Sequence, residues 1–310
     1  MSKKTLYYIL GIILTAIIGA ILNWLLCCPS GGEANIKTKS TIAPPTPVAI
    51  PETPKPTKNG LVFNDNSGDF NFRSNDNFNF NGSSFNILKP ITGNLNEGIT
   101  KLKSYFEVNP TKSIDVIGHY KSSESNPSAF PNLGIARANS VKNHLIELGI
   151  PSKNINLSSQ LNNDLIPDDN VYYGPVTFNI ITDTEDHSDE LAELKAEIIN
   201  NPLIVYFNTG DSNLNLSSSQ RIKMQKISTY LDKVDSGKIN VIGHTDNTGS
   251  TSKNISLSLA RAKTVKEYLI QNGISTNKVN TTGLGPKKPI ATNKTKDGRA
   301  KNRRVEVTLK

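Results

Sequence analysis

The sequence predicts an α/β sandwich, present in two tandem copies after a transmembrane helix. Each copy should run β-α-β-α-β-β, one mixed sheet with helices on one face. Three observations lead there. The tetrapeptide VIGH ends an apolar alternating stretch twice, at 116–119 and 241–244. Each is followed by a helical pattern, and residues 133–156 align without a gap on 257–280, both reading L-x-x-A-R-A-x-x-V-K-x-x-L-I-x-x-G-I. Ahead of both copies lies an uncharged apolar run and then a Pro-rich stretch.

The apolar run extends from Leu6 to Leu26, and no charge stands between Lys4 and Glu33. About 20 apolar residues cross a bilayer core, whereas a cleaved signal has an apolar region of only ~7–15. The run therefore reads as an uncleaved anchor, residues 1–28 forming a cytoplasmic start and the span, with the inner membrane contacted through residues 5–27. Lys3 and Lys4 precede it and no basic residue follows before Lys37, which places the N-terminus in the cytoplasm and the rest in the periplasm, as a single-pass protein. A lipoprotein anchored at Cys27 or Cys28 is the alternative, although bulky Trp24, Leu25 and Leu26 precede those cysteines. The span holds no acid, so it anchors rather than conducts protons. Residues 29–60, dominated by Pro, Thr and Lys, form an extended linker that could reach roughly 90 Å.

The first copy occupies 61–183. Its strands are FNFNG (78–82), SIDVIGH and VYYGPVTFNIIT (171–182), its first helix runs roughly from Ile91 to Val108, and 61–80, alternating Phe with Asn, supplies a further strand. Residues 184–200 form a linker helix. The second copy, 201–310, repeats the order with LIVYFNTG (203–210), a helix from Ser217 to Val234, KINVIGH and RRVEVTLK (303–310). In the shared helix Ala138, Val141 and Leu145 recur at i, i+3 and i+7, as do Ala262, Val265 and Leu269, and Gly149 and Gly273 close it.

Composition removes several function classes. The two cysteines are adjacent and upstream of both copies, so the folded part holds no disulfide, cysteine zinc site or thiol nucleophile. The four histidines are scattered and no metal or cofactor is expected. His244 has no nucleophile or acid partner in sequence and reads as a hydrogen-bonding strand-end residue rather than a catalyst, so no enzyme is expected. The net charge is +8 and the tail from Lys278 to Lys310 is basic, but that tail has no aromatic residue for base stacking and lies outside the cytoplasm, so nucleic acid is not expected.

INVIGHTDNTGSTSKNISLSLARAKTVKEYL followed by GLGPKKPIATNKTKDGRAKNRRVEV closely resembles the C-terminal domain of the OmpA/MotB-like family. The resemblance rests on three separated motifs in order, G-H-T-D, N-x-x-L-S-x-x-R-A and G-R-A-x-N-R-R-V-E, and covers about residues 200–310. The first copy is a degenerate relative of the same fold. That family binds peptidoglycan non-covalently, through the zwitterionic end of a diaminopimelate-type stem peptide. By this resemblance Asp246 pairs with the ammonium and Arg261 with the carboxylate, Thr248 and Asn254 add polar contacts, Arg303 adds a basic contact at the rim, and Leu257 helps wall the pocket. Gly210 stands where the family often carries an Asn.

The repeat acts as an internal control. VIGH is common to both copies, but Asp246 of the second is Lys121 in the first, and LIPDDNVYYGP replaces the GRAKNRRVE stretch. Arg137 matches Arg261, so either that arginine serves the fold or the first copy kept an anion site. The resemblance implies a membrane-anchored protein that ties the membrane, or a complex within it, to the cell wall, the first copy acting as a spacer or as a contact for an envelope protein complex. A wall-anchoring subunit of an envelope-spanning secretion or injection apparatus is the alternative, with a MotB-like stator further behind because the span lacks the acid such subunits use.

Overall fold

The computed structural model describes residues 55–208, 214 and 216–310. The expected anchor (5–27), Cys27, Cys28 and Gly210 lie outside these residues; among the described residues no helix is long and apolar enough to cross a membrane. From residue 55 onward both copies belong to one compact unit.

The second copy is the more regular. Strand β8 (Leu203–Tyr206), helix α4 (Ser218–Lys233), β9 (Ile239–His244), α5 (Thr251–Gln271), β10 (Val279–Gly285), a short α6 (Lys296–Asn302) and β11 (Arg304–Leu309) follow in order. They form a four-stranded mixed sheet, β10-β9-β11-β8. β10 lies parallel to β9, and β11 returns antiparallel between β9 and β8. Strand residues alternate inward and outward, so Leu203, Val205, Ile239, Val241, Val305 and Val307 share one core with Met224, Ile227 and Leu231 of α4 and Ala262, Val265 and Leu269 of α5. Helix α4 begins with a reciprocal capping box, Ser217 to the Gln220 amide and the Gln220 side chain back to the Ser217 amide, which satisfies two otherwise orphaned donors. The α6 turn between the last two strands interrupts the expected β-β ending.

The first copy repeats this plan in β3 (Asn79–Asn81), α1 (Gly93–Val108), β4 (Lys112–Tyr120), α2 (Leu133–Glu147), β5 (Ile155–Leu161), β6 (Val171–Tyr173) and β7 (Val176–Thr182). Its main sheet has only three strands, β5-β4-β7. The single closing strand expected at 171–182 is split in two. Gly174 turns with φ 63° and Pro175 follows without an N–H, so β6 leaves the sheet and pairs with β3 instead. The Phe/Asn stretch forms not one strand but an antiparallel hairpin, β1 (Leu61–Asn64) and β2 (Asn71–Ser74), in register Leu61 to Ser74. A bridge from Asp65 to Ile180 lays that hairpin against β7. The last residues of the expected linker are also tied down: Thr57 N–H donates to the Ile166 carbonyl and Asn59 N–H to that of Tyr173.

Helix α3 (Ser188–Asn200) packs on the second core through Ile198 and Leu194 and is ion-paired from Glu197 to Lys226. It is therefore part of the second copy's surface rather than a free connector. The two copies are bolted directly. Lys142 on α2, 1% exposed, reaches Asp232 of α4 at 2.7 Å. Asn139 donates to the Asn272 carbonyl, the Asn272 side chain accepts from Ala129 N–H, and Arg221 donates to the Asn126 carbonyl. Ala129 is buried within the second copy's core cluster.

Candidate functional site

Each VIGH stretch ends where a helix crosses its strand at minimal distance. A Cβ on Gly243 would collide with the Ser258 carbonyl oxygen of α5, and one on Gly118 with the Gly134 carbonyl of α2. Neither glycine has a positive φ, so close approach and not backbone freedom requires them. In the second copy this contact draws the front of α5 onto the end of β9. The loop leaving β9 then carries Asp246, and three residues past Ser258 the helix presents Arg261. The glycine within VIGH thus positions the site, a role that strand periodicity alone does not reveal.

Asp246 is largely buried. Its Oδ2 accepts from Arg303 Nη1 at 2.9 Å and its Oδ1 from Thr248 N–H at 2.9 Å. Burial pushes the carboxyl up, but those bonds outweigh it and hold its pKa below the usual carboxylate range. Asn254, in the first turn of α5, donates to the Thr248 carbonyl at 3.0 Å and so fixes the loop that bonds Asp246. Arg261 is 1% exposed, donates to the Asn208 carbonyl at 2.9 Å and lies over the Phe207 ring, 5.2 Å from its centroid. Phe207 joins the two arginines: its N–H donates to the Arg303 carbonyl, and its carbonyl accepts from Arg303 Nε. Asp246, Thr248, Asn254, Arg261 and Arg303 are thereby gathered around the ends of β8 and β9. Leu257 lies one turn before Arg261 on α5 and is 40% exposed. Arg303, read from sequence as a rim contact, is the ion-pair partner of Asp246.

The N-R-R-V stretch divides its work. Asn302, fully buried, accepts from the Ile290 and Ala291 amides and donates to the Ala291 carbonyl, pinning the loop before α6. Arg303 turns to Asp246. Arg304, opening β11, turns to the other face and bonds Glu306 at 2.7 Å. Asn302 was missed as a working residue because its partners lie in a loop with no periodic signal.

His244 departs from its expected hydrogen-bonding role. Among the described residues neither ring nitrogen has a hydrogen-bond partner, and the nearest acid, Glu306, is 3.9 Å away. His119 does bond, to the Thr177 hydroxyl at 2.8 Å. Burial pushes the His244 imidazole down to about 4, with the Arg304 charge adding to the shift. The folded protein thus keeps His244 neutral where an unfolded chain, titrating near 6.5, takes up a proton. Its contribution to stability is complete above about pH 6.5 and is lost as pH falls towards 4. Between pH 7.5 and 5 this amounts to about 2 kcal/mol. His244→Gln should lose correspondingly less stability over that interval in parallel urea titrations; identical losses in both proteins would refute the assignment.

The first copy shows the matching arginine in a different state. Arg137 is stacked between Phe80 and Tyr172, 5.5 and 5.1 Å from their centroids, and donates to the Asn81 and His119 carbonyls. Phe80 and Asn81 thus repeat the roles of Phe207 and Asn208. In addition Glu124 meets the guanidinium with both oxygens, at 2.6 and 3.1 Å. At the position of Asp246, Lys121 turns its ammonium to the Leu165 carbonyl.

No group of three or more His, Cys, Asp or Glu side chains that could hold a metal occurs among the described residues. A cavity of about 640 Å³ lies between β7, α3 and α4, away from Asp246. It is lined by Lys153, Asp183, His187, Glu190 and Lys233 and gathers both signs of charge without a convergent donor set.

A family model described as "OmpA family" matches residues 79–171 and 206–303, more than half of the chain and parts of both copies. Among curated proteins, "Probable lipoprotein YiaD" of Escherichia coli is 38% identical over 112 residues, 36% of this chain and 50% of that protein. "Peptidoglycan-binding protein ArfA" of Mycobacterium tuberculosis is 43% identical over 86 residues, 28% of this chain and 26% of that protein. The chain thus spans half or less of these relatives' lengths. Among solved structures, the peptidoglycan-associated lipoprotein from Burkholderia pseudomallei is 25% identical, covers 34% of this chain and 89% of that one, and has a TM-score of 0.31.

Proposed function

The chain belongs to the OmpA family, and from that premise we propose that it binds peptidoglycan non-covalently through its second copy and so anchors an envelope structure to the cell wall. One observation carries the reading: an ionised, largely buried carboxylate, Asp246, is gathered with the guanidinium groups of Arg303 and Arg261 at one strand end. In this reading the ligand is the zwitterionic end of a diaminopimelate-type stem peptide. Asp246 receives the ammonium on lone pairs that Arg303 and Thr248 leave available, because a carboxylate offers about four acceptor positions. Arg261 takes the carboxylate, for which a planar guanidinium suits two parallel bonds. Thr248 and Asn254 hold the loop, and Leu257 covers the aliphatic stem. Similarity to the peptidoglycan-binding protein ArfA supports wall binding for this chain as well. The role is binding and not catalysis.

The test is sedimentation of the full chain, in mild detergent, with purified peptidoglycan. The protein should pellet, and free meso-diaminopimelate should release it in a dose-dependent way while L-alanine at equal concentration does not. Pelleting unaffected by the diamino acid would remove the proposed ligand.

A further inference from the structure

The loop that follows VIGH sets its carboxylate on a different arginine in each copy. In the second it presents a carboxylate, Asp246. In the first, residues 121–130, it sends a carboxylate inward. Glu124 is nearly fully buried and accepts four hydrogen bonds: two from Arg137, one from Ser83 N–H and one from Lys121 N–H, the last two at 3.0 Å. Two-oxygen contact with a guanidinium plus backbone amides is how a protein site receives a free carboxylate. Of the arginine's other contacts, the Phe80 face and the Asn81 carbonyl match those that Phe207 and Asn208 give Arg261, while the His119 and Ser84 carbonyls and the Tyr172 ring complete its surroundings.

We propose that the first copy retains a carboxylate-binding site at Arg137 and that Glu124 occupies it permanently as a built-in ligand. The inference rests on the proposed wall-binding reading for the equivalence of Arg137 with a ligand-receiving arginine. It has two consequences. The chain takes one stem peptide, in the second copy. The first copy's former ligand loop is also free for other work, and it performs it: directly after Glu124, the Asn126 carbonyl and the Ala129 amide meet Arg221 and Asn272 of the second copy. Filling the site from within holds that loop in the shape that joins the copies.

Chemical rescue tests this. Glu124→Ala empties the site and leaves a buried guanidinium unpaired, which should lower the melting temperature of the full chain by on the order of 5–10 °C. Sodium acetate, the probe, should restore a substantial part of that loss, well beyond sodium chloride at equal ionic strength. Glu124→Gln loses the charge but fills the space, so acetate should not rescue it, and wild type should respond to both salts alike. If Glu124→Ala gives no folded protein in plain buffer, refolding yield with and without acetate becomes the readout, with the same controls. Absence of acetate-specific recovery, or equal recovery in Glu124→Gln, would overturn the proposal. The readout involves no cell wall, so a failure of stem-peptide binding at Asp246 would leave it interpretable.

Discussion

Asp246→Ala is expected to abolish detectable sedimentation with peptidoglycan while the protein stays folded. Among the described residues gathered there, the substitution removes the one carboxylate that can answer an ammonium, and it frees Arg303, whose guanidinium would then face the ligand's positive end. Truncating one partner of a buried, hydrogen-bonded charge pair costs roughly 2–5 kcal/mol, so binding should weaken by about 30-fold or more. Asp246→Asn is the sharper variant. It keeps the shape and an acceptor for the Thr248 amide, and it loses only the charge, so it should weaken binding nearly as much if the ammonium contact is the cause. Folding is checked separately by melting temperature, which should fall modestly, since Arg303 retains its bond to the Phe207 carbonyl. If wild type, Asp246→Ala and Asp246→Asn pellet equally, the site lies elsewhere.

Gly243→Ala should be among the most damaging small substitutions in the second copy. The added methyl would press on the Ser258 carbonyl, a backbone atom in a helix and not the end of a flexible side chain. Helix α5 must move off the sheet, and Ser258 also holds β10 through its hydroxyl on the Gly285 amide, at 2.9 Å. Overpacking of this kind costs about 1–3 kcal/mol, which for a domain of this size lowers the melting temperature by several degrees, about 2–4 °C per kcal/mol. Because Arg261 rides on the same helix, wall binding per folded molecule should fall as well. Gly118→Ala makes the same collision in the first copy and should lower stability without that loss of binding. An unchanged melting temperature for Gly243→Ala, or equal binding losses in the two variants, would refute the positioning role.

Much of the fold was legible because its signals are local. The gap-free repeat, the alternating strands and the 3.6-residue helices follow from burial of one face, and the elements appear close to where that pattern puts them. Asp246 stood out for a related reason: set against Lys121 in an otherwise repeated segment, it is a position where the charge reverses between the copies. Some misreadings were also local. Gly174–Pro175 splits the first copy's closing strand, and the dipeptide was visible as a strand breaker, although the new pairing of β6 with β3 was not.

What the sequence alone determined is the doubled α/β plan, the Pro-rich approach to it and the identity of the acid on which the proposed site turns. What only the tertiary structure decided is the state of each copy. Glu124 is an ordinary loop acid in sequence, thirteen residues from the arginine it meets. Lys142 and Asn139 are repeat positions whose partners, Asp232 and Asn272, lie in the other copy. Arg303 joins Asp246 across fifty-seven residues. Periodicity encodes which face of an element is buried, but not which buried group it will meet there. That depends on how close the elements pack, and here the glycine in VIGH sets that distance.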